Sequence, residues 1–347
     1  MGRTSGPGYA SGAGRRPHGD AIGVALRYVT VEGVRLSVIG LGTWQFGSTE
    51  WGYGPNYARE TAQQITRRAL ELGVNLLDTA EVYGFGRSEQ ILGRALEGVR
   101  DRAFVATKVF PVAPVAPIVA WRARESARRL NVTHLDLYQL HWANRLVPLA
   151  QQMEGMRALQ AEGLVGHVGV SNFSKGGWMA AERALGAPVL SNQVAYSLVE
   201  RRPDHEIVPY AAQRGRLVIA YSPLAQGFLS GRYDTTHPPS GATRAANPLF
   251  QAENLAAGRE LLGALADVAR RHGATSSQVA LAWIVRRPNV VAIPGASSVA
   301  QLEANAAAAD LTLSDEDDRQ LTDASDRFHP RRSPFQFGRS LLARLRA

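Results

Sequence analysis

The chain has 347 residues, 45% hydrophobic and 20% charged, the composition of a globular protein with room for one large α/β barrel or two ordinary domains. Its formal net charge of +9 sits at the ends: residues 327–347 hold six arginines and no acid, residues 1–27 hold four arginines and one aspartate, and residues 28–326 are formally neutral. That distribution speaks against a nucleic-acid-reading domain, the lack of cysteine rules out disulfides and thiolate chemistry, and no run reaches the roughly 18 apolar residues of a membrane span.

Residues 1–26, rich in Gly, Ser and Arg and without the apolar core of a secretory signal, read as a disordered tail, and a reducing cytoplasm is the expected location. The stretch RYVTVEGVRLSVIG then alternates and turns at Glu32-Gly33, which predicts a β-hairpin. After it a rhythm repeats. Short Val/Leu/Ile runs end in turns and are followed by helical periodicity, as in ETAQQITRRALELG, where Ile65, Ala69, Leu70 and Leu72 share a face.

The runs are VIGLGT, GVNLLD, AFVATK, LDLYQLH, GHVGVSN, PVLSNQ, RLVIAYS and NVVAIPG. Continuous apolar strands alternating with helices predict a parallel sheet buried on both faces, and eight of them predict a closed (β/α)8 TIM barrel over residues 27–326. A Rossmann fold is the rival, but GLGTWQ has Gln45 where the last glycine of its phosphate loop belongs. The final connection, from Ser222 to Val290, predicts a long functional loop and two helices. Ser314 caps one more helix, and residues 327–347 form a basic C-terminal tail.

Chemistry in such a barrel gathers at the C-terminal ends of the strands. Here the second run ends at Asp78, the third at Lys108, the fourth at His141, the fifth at Ser171-Asn172, the sixth at Asn192-Gln193 and the seventh at Tyr221-Ser222. Tyr83 lies five residues beyond Asp78. Only two lysines, Lys108 and Lys175, stand among 37 arginines, which marks Lys108 as a place where a compact amine is wanted.

A phenol is a poor acid near neutrality, and a neighbouring ammonium favours its ionised form. Asp78 would keep Lys108 charged, Lys108 would tune Tyr83, and His141 would orient a carbonyl oxygen. That is machinery for protonating an oxygen that gains negative charge. No metal-binding histidine pattern is present, so a nicotinamide is the expected hydride source. Ser171, Asn172 and Gln193 suit its carboxamide, and Tyr221 offers a stacking face. Trp44, Trp51, Tyr53 and Trp142, with Tyr83 and His141, are the candidate wall of a substrate pocket.

These stretches resemble the aldo-keto reductases: GLGTW, LLDTAEVYG, ATK, LYQLHW, GVSN, SNQ, YSPLAQG and IPGASS occur in that family's order. SPLAQGFLSGRY and TRAANP are most similar to the branch with bacterial oxidoreductases and potassium-channel β subunits. The resemblance implies an NADPH-dependent reductase of aldehydes or ketones, a small-molecule enzyme with Asp78, Tyr83, Lys108 and His141 as its tetrad and Tyr83 as the acid. Cofactor contacts implied at the strand ends are Thr43, Trp44, Asp78, Ser171, Asn172 and Gln193. Those in the long connection are Ser222, Pro223, Leu224, Ala225, Gln226 and Gly227, with Arg232 and Arg244 for phosphate. Gly295, Ser297, Gln301 and Asn305 complete them.

One departure stands out. The family's Glu-Asn pair is Ala304-Asn305 here, with Glu303 one place early. Two alternatives use the same residues: a cofactor-binding partner subunit with negligible turnover, and a lyase with Lys108 as Schiff-base amine. His141 argues against the first. Asp78, which favours a charged amine, argues against the second.

Overall fold

The computed structural model describes residues 26–47, 57–239, 244 and 247–331. The expected N-terminal tail, apart from Leu26, lies outside them, as do Trp51, Tyr53 and residues 332–347.

The hairpin forms as expected. Strand β1 (Tyr28–Val31) pairs antiparallel with β2 (Val34–Ser37), and Glu32 (φ 49°) and Gly33 (φ 78°) make the doubly left-handed turn that suits strand twist. Val31 and Leu36 point into one cluster with Leu76, Ala106, Leu137, Leu217 and Val291, so the hairpin plugs the bottom of a barrel.

That barrel has eight parallel strands: β3 (Leu41–Gly42), β4 (Leu76–Asp78), β5 (Phe104–Val109), β6 (Leu135–Leu140), β7 (Val165–Ser171), β8 (Ser191–Ala195), β9 (Leu217–Tyr221) and β10 (Val290–Ala292). Each pairs with its neighbour in sequence. Parallel bridges Ile39–Ala292 and Gly42–Gly295 close the ring, with Gly40 N donating to the Ala292 carbonyl at 2.8 Å. A Cβ on Gly42 would stand 2.7 Å from the Ile293 carbonyl oxygen. The glycines of GLGT therefore serve the barrel seam, which is why they resemble a phosphate loop without being one.

Helices cover the outside, where the larger apolar cluster lies. In the first, α1 (Ala62–Glu71), Ile65, Ala69 and Leu70 are buried and Leu72 is half-buried just past its end. The last, Asp315–Arg327, begins in a reciprocal cap in which Ser314 Oγ accepts from Asp317 N at 3.1 Å and donates to its carboxylate. The described part of the connection after β9 includes the helices Ala252–Ala257, Arg259–Arg271 and Ser276–Val285, where two were expected, plus a tight turn at Ala225–Ser230. The start of the C-terminal tail is docked: Phe328 is buried and stacks on Phe228 at 5.5 Å, and Arg331 N donates to Asn254 Oδ1 at 2.8 Å.

Candidate active site

Strands β4 and β5 lie side by side, with Asp78 opposite Ala106, so the inward-facing side chains of Asp78 and Lys108 meet at the top of the barrel. Lys108 is fully buried and Asp78 is 2% exposed. The ammonium donates to Asp78 Oδ1 at 2.7 Å, to the Thr79 carbonyl at 2.8 Å and to the Tyr83 hydroxyl at 3.3 Å. Gln193 Nε2 donates to the other Asp78 oxygen at 2.7 Å. Every oxygen of the carboxylate and three directions around the ammonium are thus satisfied, as a buried ion pair requires.

Burial drags the Lys108 pKa down, but Asp78 and the Tyr83 oxygen more than reverse this, and it stands above the ordinary lysine value. Burial likewise pushes the Asp78 carboxyl up, opposed by Lys108 and Gln193.

Tyr83 reaches Lys108 because the chain doubles back after β4. Gly84 (φ 55°), Phe85 (φ 53°) and Gly86 (φ 84°) are all left-handed, and Phe85 holds that conformation without being glycine. His141 stands over the same spot. Its ring meets that of Tyr83 edge-on at 6.0 Å and lies parallel to Trp142 at 6.3 Å. Trp44 flanks the phenol at 6.4 Å.

A cavity of about 640 Å³ opens above these groups. Of the residues singled out at strand ends, Trp44, Asp78, Tyr83, His141 and Trp142 line it, together with Ser171, Asn172 and Gln193. Asn172 Nδ2 donates to the His141 carbonyl at 3.1 Å and its Oδ1 accepts from the Tyr221 hydroxyl at 2.9 Å, tying three strand ends together. From the long connection, Tyr221 through Leu224 line it, with Gln226, Gly227 and Arg244. Arg244 is steered by a 3.0 Å bond from Nε to the Gln226 carbonyl. Gly295, Ser297 and Gln301 line it too, Gln301 Oε1 accepting from Ser297 N at 2.7 Å.

Five of the described residues expected to serve catalysis or the cofactor are not on the wall. Lys108 lies beneath it, and Thr43 is buried, its hydroxyl donating to the Asp78 carbonyl at 2.9 Å. Ala225 is buried, and Asn305 is buried with Nδ2 on the Gly295 carbonyl at 3.2 Å. Arg232 is exposed on the loop surface. Glu303 is engaged elsewhere, bonded to Arg68 Nε at 2.7 Å.

The wall also contains residues that sequence reasoning missed: Gln45, Glu81, Phe85, Phe110, Arg122 and Arg129. Glu81, Phe85 and Phe110 flank Tyr83 and Lys108 closely, which was a usable signal. Arg122 and Arg129 share a face of helix Ala116–Leu130 seven residues apart, a signal drowned in an arginine-rich chain.

Among the described residues no group of three or more His, Asp or Glu side chains is placed to hold a metal, and no helix is long and apolar enough to cross a membrane.

A barrel with a buried Lys–Asp pair touching a tyrosine hydroxyl at its C-terminal rim, and a largely apolar cavity above it, is the framework of a carbonyl oxidoreductase. The model of the Aldo/keto reductase family matches residues 38–326, and the chain belongs to that family. It is 52% identical to the uncharacterized oxidoreductase Rv2298 of Mycobacterium tuberculosis over 88% of this chain and 94% of that one. It is 32% identical to methylglyoxal reductase YeaE of Escherichia coli, over 81% and 88%. A solved aldo-keto reductase of Klebsiella pneumoniae in complex with NADPH superposes with a TM-score of 0.72 at 30% identity, covering 89% of this chain and 97% of that one.

Proposed function

We propose that the protein reduces aldehydes or ketones to alcohols with NADPH. The observation that carries this reading is the single ammonium of Lys108, 2.7 Å from Asp78 and 3.3 Å from the Tyr83 hydroxyl, under one wall of the cavity. Bound NADPH supplies the hydride. The chain's own residues do the rest.

As hydride reaches the carbonyl carbon, its oxygen becomes an alkoxide and takes the Tyr83 proton. Lys108 stabilises the phenolate left behind, and Asp78 compensates the ammonium inside the barrel. His141 positions the carbonyl oxygen between itself and the phenol. The resulting alcohol carries one hydride and one proton more than the substrate, and the phenolate regains its proton from water.

The residues suit the cofactor. Ser171, Asn172 and Gln193 present amide and hydroxyl groups for a carboxamide, and Tyr221 presents a ring. Arg244, which lines the cavity beside Gln226, suits the 2′-phosphate that separates NADPH from NADH. The NADPH complex of the Klebsiella neighbour and the methylglyoxal reductase relative support the same reading.

The test is NADPH oxidation followed at its absorbance maximum with a panel of aldehydes and ketones, repeated with NADH. Tyr83→Phe is expected to lower kcat/KM by roughly 10²- to 10⁴-fold while NADPH still quenches protein fluorescence. A fully active Tyr83→Phe enzyme would remove the phenol from the chemistry.

A further inference from the structure

We infer that Arg122 reads an anionic group, a carboxylate in the first instance, on the carbonyl substrate. The inference rests on the reductase reading of the same cavity and names the class of substrate it takes.

Arg122 lines the cavity that Tyr83 and His141 share, and its side chain is 22% exposed. Both contacts it makes leave from one nitrogen: NH1 donates to the Phe110 carbonyl and faces Glu81 Oε1 at 3.2 Å. Those two contacts fix the plane of the guanidinium and leave its Nε–NH2 edge without a partner among the described residues. That edge presents two parallel N–H groups, the geometry that grips a carboxylate through both oxygens.

The charges around it are paired off. Glu81 Oε1 is drawn toward the backbone by Phe110 N at 2.6 Å. Arg129 stands on the same wall but is paired with the fully buried Glu89, 2.6 Å from its Nε. Asp78 is balanced by Lys108 beneath it. With the Arg129–Glu89 and Asp78–Lys108 pairs each balanced, the ionisable group left to act beside Tyr83 is Arg122, whose partner Glu81 is held by the Phe110 N–H. Phe85, Phe110 and Trp142 supply ring surface for the apolar body of the same molecule.

The probe pair is 4-carboxybenzaldehyde and 4-methylbenzaldehyde, matched in shape and differing in charge. The wild-type enzyme with NADPH is expected to favour the carboxylated aldehyde in kcat/KM. In Arg122→Gln the ratio of the two kcat/KM values is expected to fall by about 10- to 100-fold, the worth of hydrogen bonds to a charged group, with Arg122→Lys keeping part of it. A merely structural role for Arg122 lowers both values together and leaves the ratio in place. An unaltered ratio in Arg122→Gln, or no preference in the wild type, overturns the inference. If neither aldehyde oxidises NADPH, the reductase reading fails by itself. Calorimetric binding of terephthalate to the NADPH-loaded protein then decides: binding lost in Arg122→Gln supports the site, and absent or equal binding rejects it.

Discussion

Lys108 shows how much one side chain can constrain. An ammonium with no exposed surface survives only where its charge is met, and here Asp78, the Thr79 carbonyl and the Tyr83 oxygen meet it. The other lysine, Lys175, is exposed at the start of its helix, so rarity alone did not mark the site; position at a strand end did. Lys108→Met leaves Asp78 buried and unpaired and is expected to cost about 3–5 kcal/mol in chemical denaturation, with Asp78→Leu/Lys108→Met recovering part of it. The sign with pH follows from the raised lysine pKa. The stabilisation is fully present below the ordinary value of 10.5 and is lost only as pH climbs through the higher folded value. The stability gap between wild type and Lys108→Met should therefore not close from about pH 6 to 9, and the unpaired Asp78 of the variant, pushed up by burial, can only widen it as pH rises; a gap that narrows toward pH 9 contradicts a charged Lys108.

Strands and turns set where such side chains stand. The residues at the strand ends were legible because a parallel strand buried on both faces is a continuous apolar run, and the first polar residue after it marks the rim. The helix at Ala252–Ala257 was not legible as a separate element, because its periodicity continues into Arg259–Arg271 across Gly258. Strand β7 carries a further consequence. His167 is half-buried, its ring 6.2 Å from Phe104, and burial holds its pKa below the ordinary 6.5 against the opposing pull of Asp136 and Glu32. A depressed histidine favours the neutral form in the folded chain, so the unfolded chain binds more protons in the window just below 6.5. Stability from this group is complete above that value and falls as pH drops through the folded pKa. Thermal unfolding of wild type and His167→Gln between pH 7 and 5 checks it: the variant should lose less on acidification. An identical loss in both would place the pH dependence elsewhere.

At the scale of the molecule, the first and last described segments pack on the barrel differently. The hairpin plugs the bottom with Val31 and Leu36, and the segment after Arg327 returns to the long connection that lines the cavity. Phe328 stacks on Phe228, one residue past Gly227 and two past Gln226 on the cavity wall. Phe328→Ala is expected to cost about 3–5 kcal/mol and to raise the Kd for NADPH by loosening that turn, measured by denaturation and fluorescence titration. Weaker folding with an unchanged Kd would separate the C-terminal anchor from cofactor binding.

By itself the sequence determined the barrel, the order of its strands and which polar residues stand at their ends, since periodicity and strand-end position are read locally along the chain. Only the tertiary structure decided that Thr43 and Asn305 support the wall from behind, that Arg232 stays on the surface, and that Arg122 and Arg129 face the cavity. Those outcomes depend on where ring closure and helix packing bring distant residues, and one arginine among 37 carries no local mark of which it will be.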